Sequence, residues 1–470
     1  MVFSSVAFLF YFLPILIIVY RFSPRKLKNG VMILASMVFF AWGEIRFIPV
    51  MLGLSVVDFV CGKMMEKNRD NQRRRLVFML IGVLTNLGVL LFFKYTNFFV
   101  DNLNGLFGLA IPNPNIILPI GVSFNSFQSM SYAIDVYRGT TNCEEKYYDY
   151  LCYTTLFPQI IAGPIVRYVT VENDLDDHEV TRDGISVGMR RFLVGLGKKV
   201  LIANNVGLLW SQVSSGNAGT PTVLLYWLGI LAFTIQIYFD FSGYSDMAIG
   251  LARVFGLTFD ENFDHPYVSR SITEFWRRWH ITLSSWFRDY VYIPLGGNRK
   301  GPARQILNIL VVWALTGFWH GASWNFVVWG LYFAVLLTIE KFVLFRFWKR
   351  VPAFVQHLYT LVLVIISWVI FSAEDLVGVT AGEYLAGMFG LGGLPLLDTG
   401  ALFLLGQYLF LLVLAAYLST PHFYSLLHRA EEQGGRLAWT AAVGGYLVVF
   451  LASVAMIVNS SYNPFLYFRF

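Results

Sequence analysis

The sequence predicts an all-α, polytopic membrane protein with roughly 11–13 helices that cross or re-enter the bilayer. Three observations point there. Of the 470 residues, 56% are hydrophobic and only 14% are charged, whereas a soluble domain carries about 25% charged residues. The mean hydropathy is +0.59. Apolar stretches near or above the roughly 20 residues that a spanning helix needs recur along the whole chain. The longest strongly polar stretch runs only from Arg167 to Arg191. One membrane-embedded body covering residues 1–470 is therefore expected, with no large soluble appendage.

Segment 2–20 has no positive charge before it and no small-residue cleavage site after it, and the basic cluster Arg21, Arg25, Lys26 and Lys28 follows. It reads as a retained first helix with its C-terminal end in the cytoplasm. Segments 30–43 and 47–62 form a hairpin broken at Gly43 and Glu44, which returns toward Lys63, Lys67, Arg69, Arg73, Arg74 and Arg75. Both ends of that hairpin are basic, which assigns them to the cytoplasm and the N-terminus to the outside. Further spans are expected near 76–93, 116–136, 186–209, 223–250, 321–343, 357–373, 401–419 and 439–459, with shorter apolar pieces at 97–111 and 150–166. Pro119-Ile120-Gly121, Pro158-Gln159, Ala162-Gly163-Pro164 and Pro294-Leu295-Gly296-Gly297 interrupt these segments. Broken backbone at membrane depth survives only inside protein or beside a water-filled cavity, so re-entrant pieces and a cavity are expected.

The net charge of +6 fits basic loops facing anionic headgroups and does not call for nucleic acid. Cys61, Cys143 and Cys152 are unevenly spaced and contain no CxxC pair, so neither a disulfide framework nor a metal site is expected.

In the stretch 265–299, Trp276, Trp279, Leu283, Trp286 and Tyr290 recur at helical spacing, with Arg277, Arg278, Arg288 and Asp289 off that stripe. An interfacial helix with an aromatic and a basic face is the expectation. Two roles for the arginines remain open: holding lipid headgroups, or binding the phosphates of an anionic donor such as coenzyme A.

Of seven histidines, His178 lies in a polar loop beside Asp176 and Asp177, and reads as a solvated residue. His357, His422 and His428 lie at segment ends, and His265 precedes a proline. His280 lies in the amphipathic stretch, and His320 lies in WALTGFWHGASWNF between two apolar runs. An ionisable group at such depth faces a cavity or a partner. The residue pattern leaves two readings open for His320, a helix-packing histidine or a proton acceptor. No HExxH and no GxSxG occurs, so neither a zinc hydrolase nor a Ser-His-Asp hydrolase is supported. Asp240 and Asp246 are intramembrane carboxylates that must pair internally, holding helices or orienting a site group.

MVFSSVAFLFYFLP at the N-terminus, FPQIIAGPIVRY (157–168) and DFSGYSDMAIGLARVFGLTFDENFDHPY (240–267) resemble the membrane-bound O-acyltransferase superfamily. WRRWHITLSSWFRDYVYIPLGGNR (276–299), TGFWHGASWNF (316–326) and the terminal NPFLYFRF are similar to its alginate O-acetyltransferase branch. The resemblance runs from the first residue to the last, with core motifs at 157–168 and 240–326.

That resemblance implies a helix-rich body with a cytoplasmic donor tunnel and an extracytoplasmic funnel meeting near a catalytic histidine. His320 matches that histidine, and His280 matches the second one. Arg277 and Arg278 become donor-binding candidates, with Asp240 and Trp319 in support. The implied donor is acetyl-CoA, used as a substrate, with no cofactor and no metal. The implied acceptor is an extracytoplasmic polysaccharide such as alginate, reached with an SGNH-fold acetyltransferase partner. The implied location is the bacterial inner membrane, in contact with lipid. Two alternatives remain at this stage. One is D-alanyl transfer toward teichoic acid, and the other is a transporter without acyl chemistry.

Overall fold

The computed structural model describes residues 1–177, 179–433, 435–459, 462, 463 and 466. His178 and most of the terminal NPFLYFRF motif lie outside the described residues. Among the described residues the regular structure is helical, with no strand. Among the described residues, eight helical segments are long and apolar enough to cross a membrane, and a shorter apolar helix covers Phe8–Phe22. The protein is thus a multi-pass membrane protein. Gln72–Phe107 and Gly435–Asn459 keep most of their apolar length exposed, as helices facing lipid must, whereas Val223–Val254 is mostly buried.

The chain divides into two compact units, one of residues 1–192 with 245–261, the other of residues 193–244 with 262–470. In the first unit, Lys28–Glu44 and Ile48–Lys67 form the expected hairpin, turning through Ile45–Phe47. Its core is aromatic. The rings of Phe3, Phe8, Phe39 and Phe157 stand 5.0–6.3 Å apart, within the range where tilted and edge-on pairs attract. The expected interruptions at 119–121, 162–164 and 294–297 are present, whereas Pro158 and Gln159 lie inside the short helix Phe157–Ile160. The chain is non-helical through Leu109–Pro119, and Gly121 turns it with φ +82°. A Cβ at Gly121 would lie 1.9 Å from the carbonyl oxygen of Ile160, so only glycine lets the two broken segments touch.

The sequence placed separate segments at 76–93 and 97–111, but one helix runs unbroken over Gln72–Phe107. Polar residues in its second half are satisfied by backbone. Asn97 bonds both the N–H and the carbonyl of Ile116, and Asn104 does the same for Ile111. The returning loop is thereby laced to the helix it leaves. Asp246 pairs with Arg191 at 2.9 Å, and Arg191 also holds Glu261.

In the second unit, Pro302–His320 and Trp324–Phe342 form a tight helical hairpin. The sequence placed the membrane entry at 321, whereas a helix already spans the residues before it. A Cβ at Gly317 would meet the Phe326 carbonyl oxygen at 2.2 Å, and one at Gly330 would meet that of Trp313 at 2.2 Å. Both glycines face the partner helix, and their missing side chains let the backbones approach. Helices Ala353–Phe371, Ala381–Met388, Thr399–Leu418 and Gly435–Asn459 complete the unit. Asp240 sits opposite Lys199 at 2.6 Å, both almost fully buried. Lys199 belongs to a widened helical turn, Lys198–Ala203. Gly243 admits that turn, since its Cβ would lie 2.8 Å from the Gly195 carbonyl oxygen.

Candidate active site

The stretch that promised one amphipathic helix is two. Ser271 caps the first, Ile272–Arg278, by accepting from the Glu274 N–H. Two carboxylate oxygens from the other side of the unit complete that helix start. Glu340 accepts from the N–H of Ile272 at 2.6 Å and from the N–H of Thr273 at 2.8 Å. A fully buried carboxylate on a helix N-terminus meets both the unbonded N–H groups and the positive end of the dipole. Trp279 is then extended, His280 adopts φ 44° and ψ 56°, and Ile281–Phe287 follows. The single stripe from Trp276 to Tyr290 is therefore broken at its middle.

A left-handed histidine costs about 1–3 kcal/mol and persists only where its surroundings dictate it. A short seam does so here. Asp264 donates its N–H to the Arg278 carbonyl at 2.9 Å, and Ile281 donates to the Asn262 carbonyl at 3.0 Å. The Asn262 side-chain oxygen accepts from the Thr282 N–H at 3.3 Å and the Thr282 hydroxyl at 2.8 Å. Nδ1 of His280 lies 3.0 Å from that same oxygen.

This arrangement fixes a proton. An oxygen that already receives two donors can only accept, so Nδ1 of His280 carries hydrogen and Nε2 of the neutral ring keeps its lone pair. The ring is fully buried and lies outside the eight apolar spans. Burial pushes its pKa down to about 3, because desolvation disfavours the charged form. Arg277, three residues away, is not the cause. Beyond the break in the helix, it is exposed to solvent.

His320 ends the helix Pro302–His320 and is 5% exposed. Its imidazole is ringed by Trp319, Trp329 and Phe371 at centroid distances of 5.1, 5.0 and 5.6 Å. Gly321 is required next to it, since a Cβ there would lie 2.1 Å from the Phe326 ring. The indole of Trp319 also lies 6.2 Å from His280. The two histidines, forty residues apart in sequence, thus both neighbour one buried tryptophan.

The remaining candidates part company. Arg278 is engaged by Asp264 at 2.8 Å and Glu274 at 3.0 Å, while Arg277 is exposed and makes no ion pair among the described residues. Asp240 faces Lys199 and accepts the Leu466 N–H at 2.9 Å. Its neighbour Phe241 stacks edge-on against His280 at 4.7 Å. Among the described residues, no three of His, Cys, Asp or Glu group as metal ligands would.

Sequence reasoning assigned no role to Asn262, Trp329, Phe371, Glu340 or Lys199. Glu340 and Lys199 did carry a signal, as charges inside apolar segments. Asn262 carried none, because its role depends on a seam formed by distant backbone.

Residues 145–381, which contain both histidines, match the profile of the MBOAT, membrane-bound O-acyltransferase family. The chain belongs to that family. It is 39% identical to the probable alginate O-acetylase AlgI of Pseudomonas putida, over 100% of both chains. It is 37% identical to the protein of the same name from Azotobacter vinelandii, again over 100% of both. The peptidoglycan O-acetyltransferase of Helicobacter pylori is 32% identical over 84% of this chain and 81% of that one. This membrane-bound O-acyltransferase is therefore an enzyme that transfers acyl groups, and both candidate histidines lie in the second unit.

Proposed function

We propose that the enzyme takes an acetyl group from cytoplasmic acetyl-CoA and passes it across the membrane for O-acetylation of an extracytoplasmic polysaccharide, with His320 as general base. One observation carries the reading. Two buried histidines neighbour Trp319, one held neutral with its tautomer set, the other ringed by aromatic side chains. The full-length likeness to proteins named alginate O-acetylase supports acetyl as the acyl group and a polysaccharide as its destination.

In this mechanism His320 accepts the proton of the attacking hydroxyl as its oxygen bonds to the thioester carbonyl carbon. The tetrahedral intermediate then collapses, the C–S bond breaks, and the imidazolium returns its proton to the departing thiolate. Such transfer contributes about 10²–10⁴ in rate. The developing oxyanion needs a donor. Nε2 of His280 bears no proton in the tautomer that Asn262 selects, so His280 serves as a hydrogen-bond acceptor that positions its neighbours. A backbone amide near His320 suits the oxyanion better. Arg277 is assigned to the donor's phosphates, and Arg278 to the fold of the loop it braces. An SGNH-fold acetyltransferase partner would complete delivery, and the inner membrane is the proposed location, with the loops around 21–28 and 63–75 in the cytoplasm.

Radiolabelled acetyl-CoA supplied to the purified protein with a polysaccharide acceptor and the partner tests the reaction. Label appearing in the polysaccharide with wild type and not with His320→Ala is expected. Equal labelling by both proteins would remove His320 from the chemistry, and no labelling by wild type would remove the acetyl-CoA reading.

A further inference from the structure

Glu340 is fully buried in the apolar span Trp324–Arg346, where an ionisable side chain is costly and marks a functional role. Among the described residues its hydrogen bonds go to backbone N–H groups and hydroxyls. One oxygen accepts from the Ile272 N–H at 2.6 Å, and the other from the N–H and the hydroxyl of Thr273 at 2.8 and 2.7 Å. The Tyr359 hydroxyl bonds to the same carboxyl group. Capping alone does not account for it, because Ser271 already caps the helix Ile272–Arg278 from within its own chain segment.

The carboxyl group joins three elements that also meet at the histidines. Glu340 lies on the second helix of the hairpin whose first helix ends at His320. Ile272 and Thr273 begin the segment that leads into Trp279 and His280. Tyr359 lies in Ala353–Phe371, whose last residue packs against His320 at 5.6 Å. Between these ends the segment runs along the hairpin helix. Trp276 meets Phe333 at 5.0 Å and Trp329 at 5.6 Å, and Trp329 meets His320 at 5.0 Å.

Ring contacts hold such a segment close without fixing its place along the helix, since apolar attraction has no direction. Hydrogen bonds have both direction and a narrow range of length. The segment's helix has 7 residues, too few to keep its shape in isolation. The bonds to Glu340 therefore set where the segment begins. A shift by the rise of one residue, about 1.5 Å, exceeds the roughly 1 Å of misplacement that can cost about 10²-fold in rate.

We propose that Glu340 is a positioning residue for acyl transfer, which sets the place of the His280 segment along the hairpin and so the spacing of His280 from His320. The consequence for turnover rests on the acyl-transfer reading, whereas the positioning does not, and each has its own measurement. Full-length wild type, Glu340→Gln, Glu340→Asp and Leu404→Ala are purified in detergent. The glutamine keeps the length of the side chain but sets an amide NH2 against a backbone N–H. Leu404, buried in the helix Thr399–Leu418, is a control that lowers stability away from the histidines. Amide exchange is followed by mass spectrometry, relative to the helix Pro302–His320. In Glu340→Gln, exchange at least tenfold faster is expected at Ile272 and Thr273 and also at Ile281 and Thr282, whose N–H groups bond to Asn262. In Leu404→Ala those ratios should match wild type. Faster exchange confined to residues 272–274, or none, would reduce Glu340 to a local cap and overturn the proposal. With acetyl-CoA as donor, Glu340→Gln should lower kcat per folded molecule at least tenfold with KM within about twofold, while Leu404→Ala changes neither. Glu340→Asp, which keeps the carboxylate one methylene short, should fall between wild type and the glutamine variant in both measurements. A kcat per folded molecule equal to wild type in Glu340→Gln would overturn the catalytic consequence. Exchange that spreads to Ile281 in a protein that transfers no acetyl group would count against the reaction and leave the positioning standing.

Discussion

His280 and His320 neighbour the same indole, yet the chain positions them by opposite means. His280 is gripped by hydrogen bonds. Asn262 accepts a hydrogen bond from its Nδ1–H, backbone bonds on both sides force it into a left-handed conformation, and full burial keeps it neutral. His320 is placed by packing. It ends a helix whose hairpin closes through Gly317 and Gly330, and rings surround its imidazole. A histidine locked into one tautomer is a fixed dipole, whereas a proton carrier must change protonation state as the reaction proceeds. The proposed mechanism accordingly gives orientation to His280 and proton transfer to His320.

The largest expected effect follows directly. His320→Ala should lower the turnover number by about 10²–10⁴ while leaving insertion and melting behaviour close to wild type. His280→Ala should lose less. Turnover measured side by side decides this, and an equal or larger loss at His280 would reverse the assignment of roles.

Next comes the hairpin. Gly317→Val drives a side chain into the Phe326 carbonyl, 2.2 Å from the position of its Cβ. Overpacking of this kind costs about 1–3 kcal/mol. A lower melting temperature should therefore accompany the loss of activity, in contrast to His320→Ala.

Asn262→Asp tests the grip on His280. The carboxylate still accepts from Thr282, but it favours the imidazolium and raises the pKa of His280 above its buried value. In wild type that value is about 3 against an ordinary 6.5. As pH falls from about 6.5 toward about 3, the unfolded chain therefore binds a proton that the folded chain refuses, and stability is lost across that window. The aspartate variant should lose less stability over that window than wild type. Melting temperatures at intervals between pH 7 and pH 4 would show it, and parallel curves would mean that Asn262 does not govern the ring.

The smallest effects concern the arginines. Arg277→Ala should raise the apparent KM for acetyl-CoA several-fold with little change in kcat. Arg278→Ala should lower thermal stability by about 1 kcal/mol or less, as partly exposed ion pairs do, and leave the donor KM nearly unchanged. Steady-state kinetics and melting of the two variants separate these outcomes.

The fold was largely legible because the membrane demands it. Apolar length identifies spans, and most predicted segments reappear as helices within a few residues. One failure was a helix divided in two at 93–97, where Asn97 and Asn104 bond to a loop that folds back beside the unbroken helix. Periodicity, conversely, ran straight through Trp279 and His280, because helical spacing on both sides of a two-residue break looks continuous. Both histidines were found from their surroundings and from motif likeness. Their geometry was not readable, since Asn262 reaches His280 across eighteen positions and Trp319 serves both rings only after the hairpin forms. Asp240 was correctly expected to pair, but its partner Lys199 was not named.

The bond between Asp240 and the Leu466 N–H spans 226 positions of sequence, and that fixes an order of events during synthesis. Asp240 and Lys199 enter the membrane early and can neutralise each other there. The second carboxylate oxygen has to wait for Leu466 to leave the ribosome. At about 5–20 residues per second that interval is roughly 10–45 seconds. Through it, the interior of the second unit carries an unfinished polar contact, which closes only when the last turns of the chain arrive.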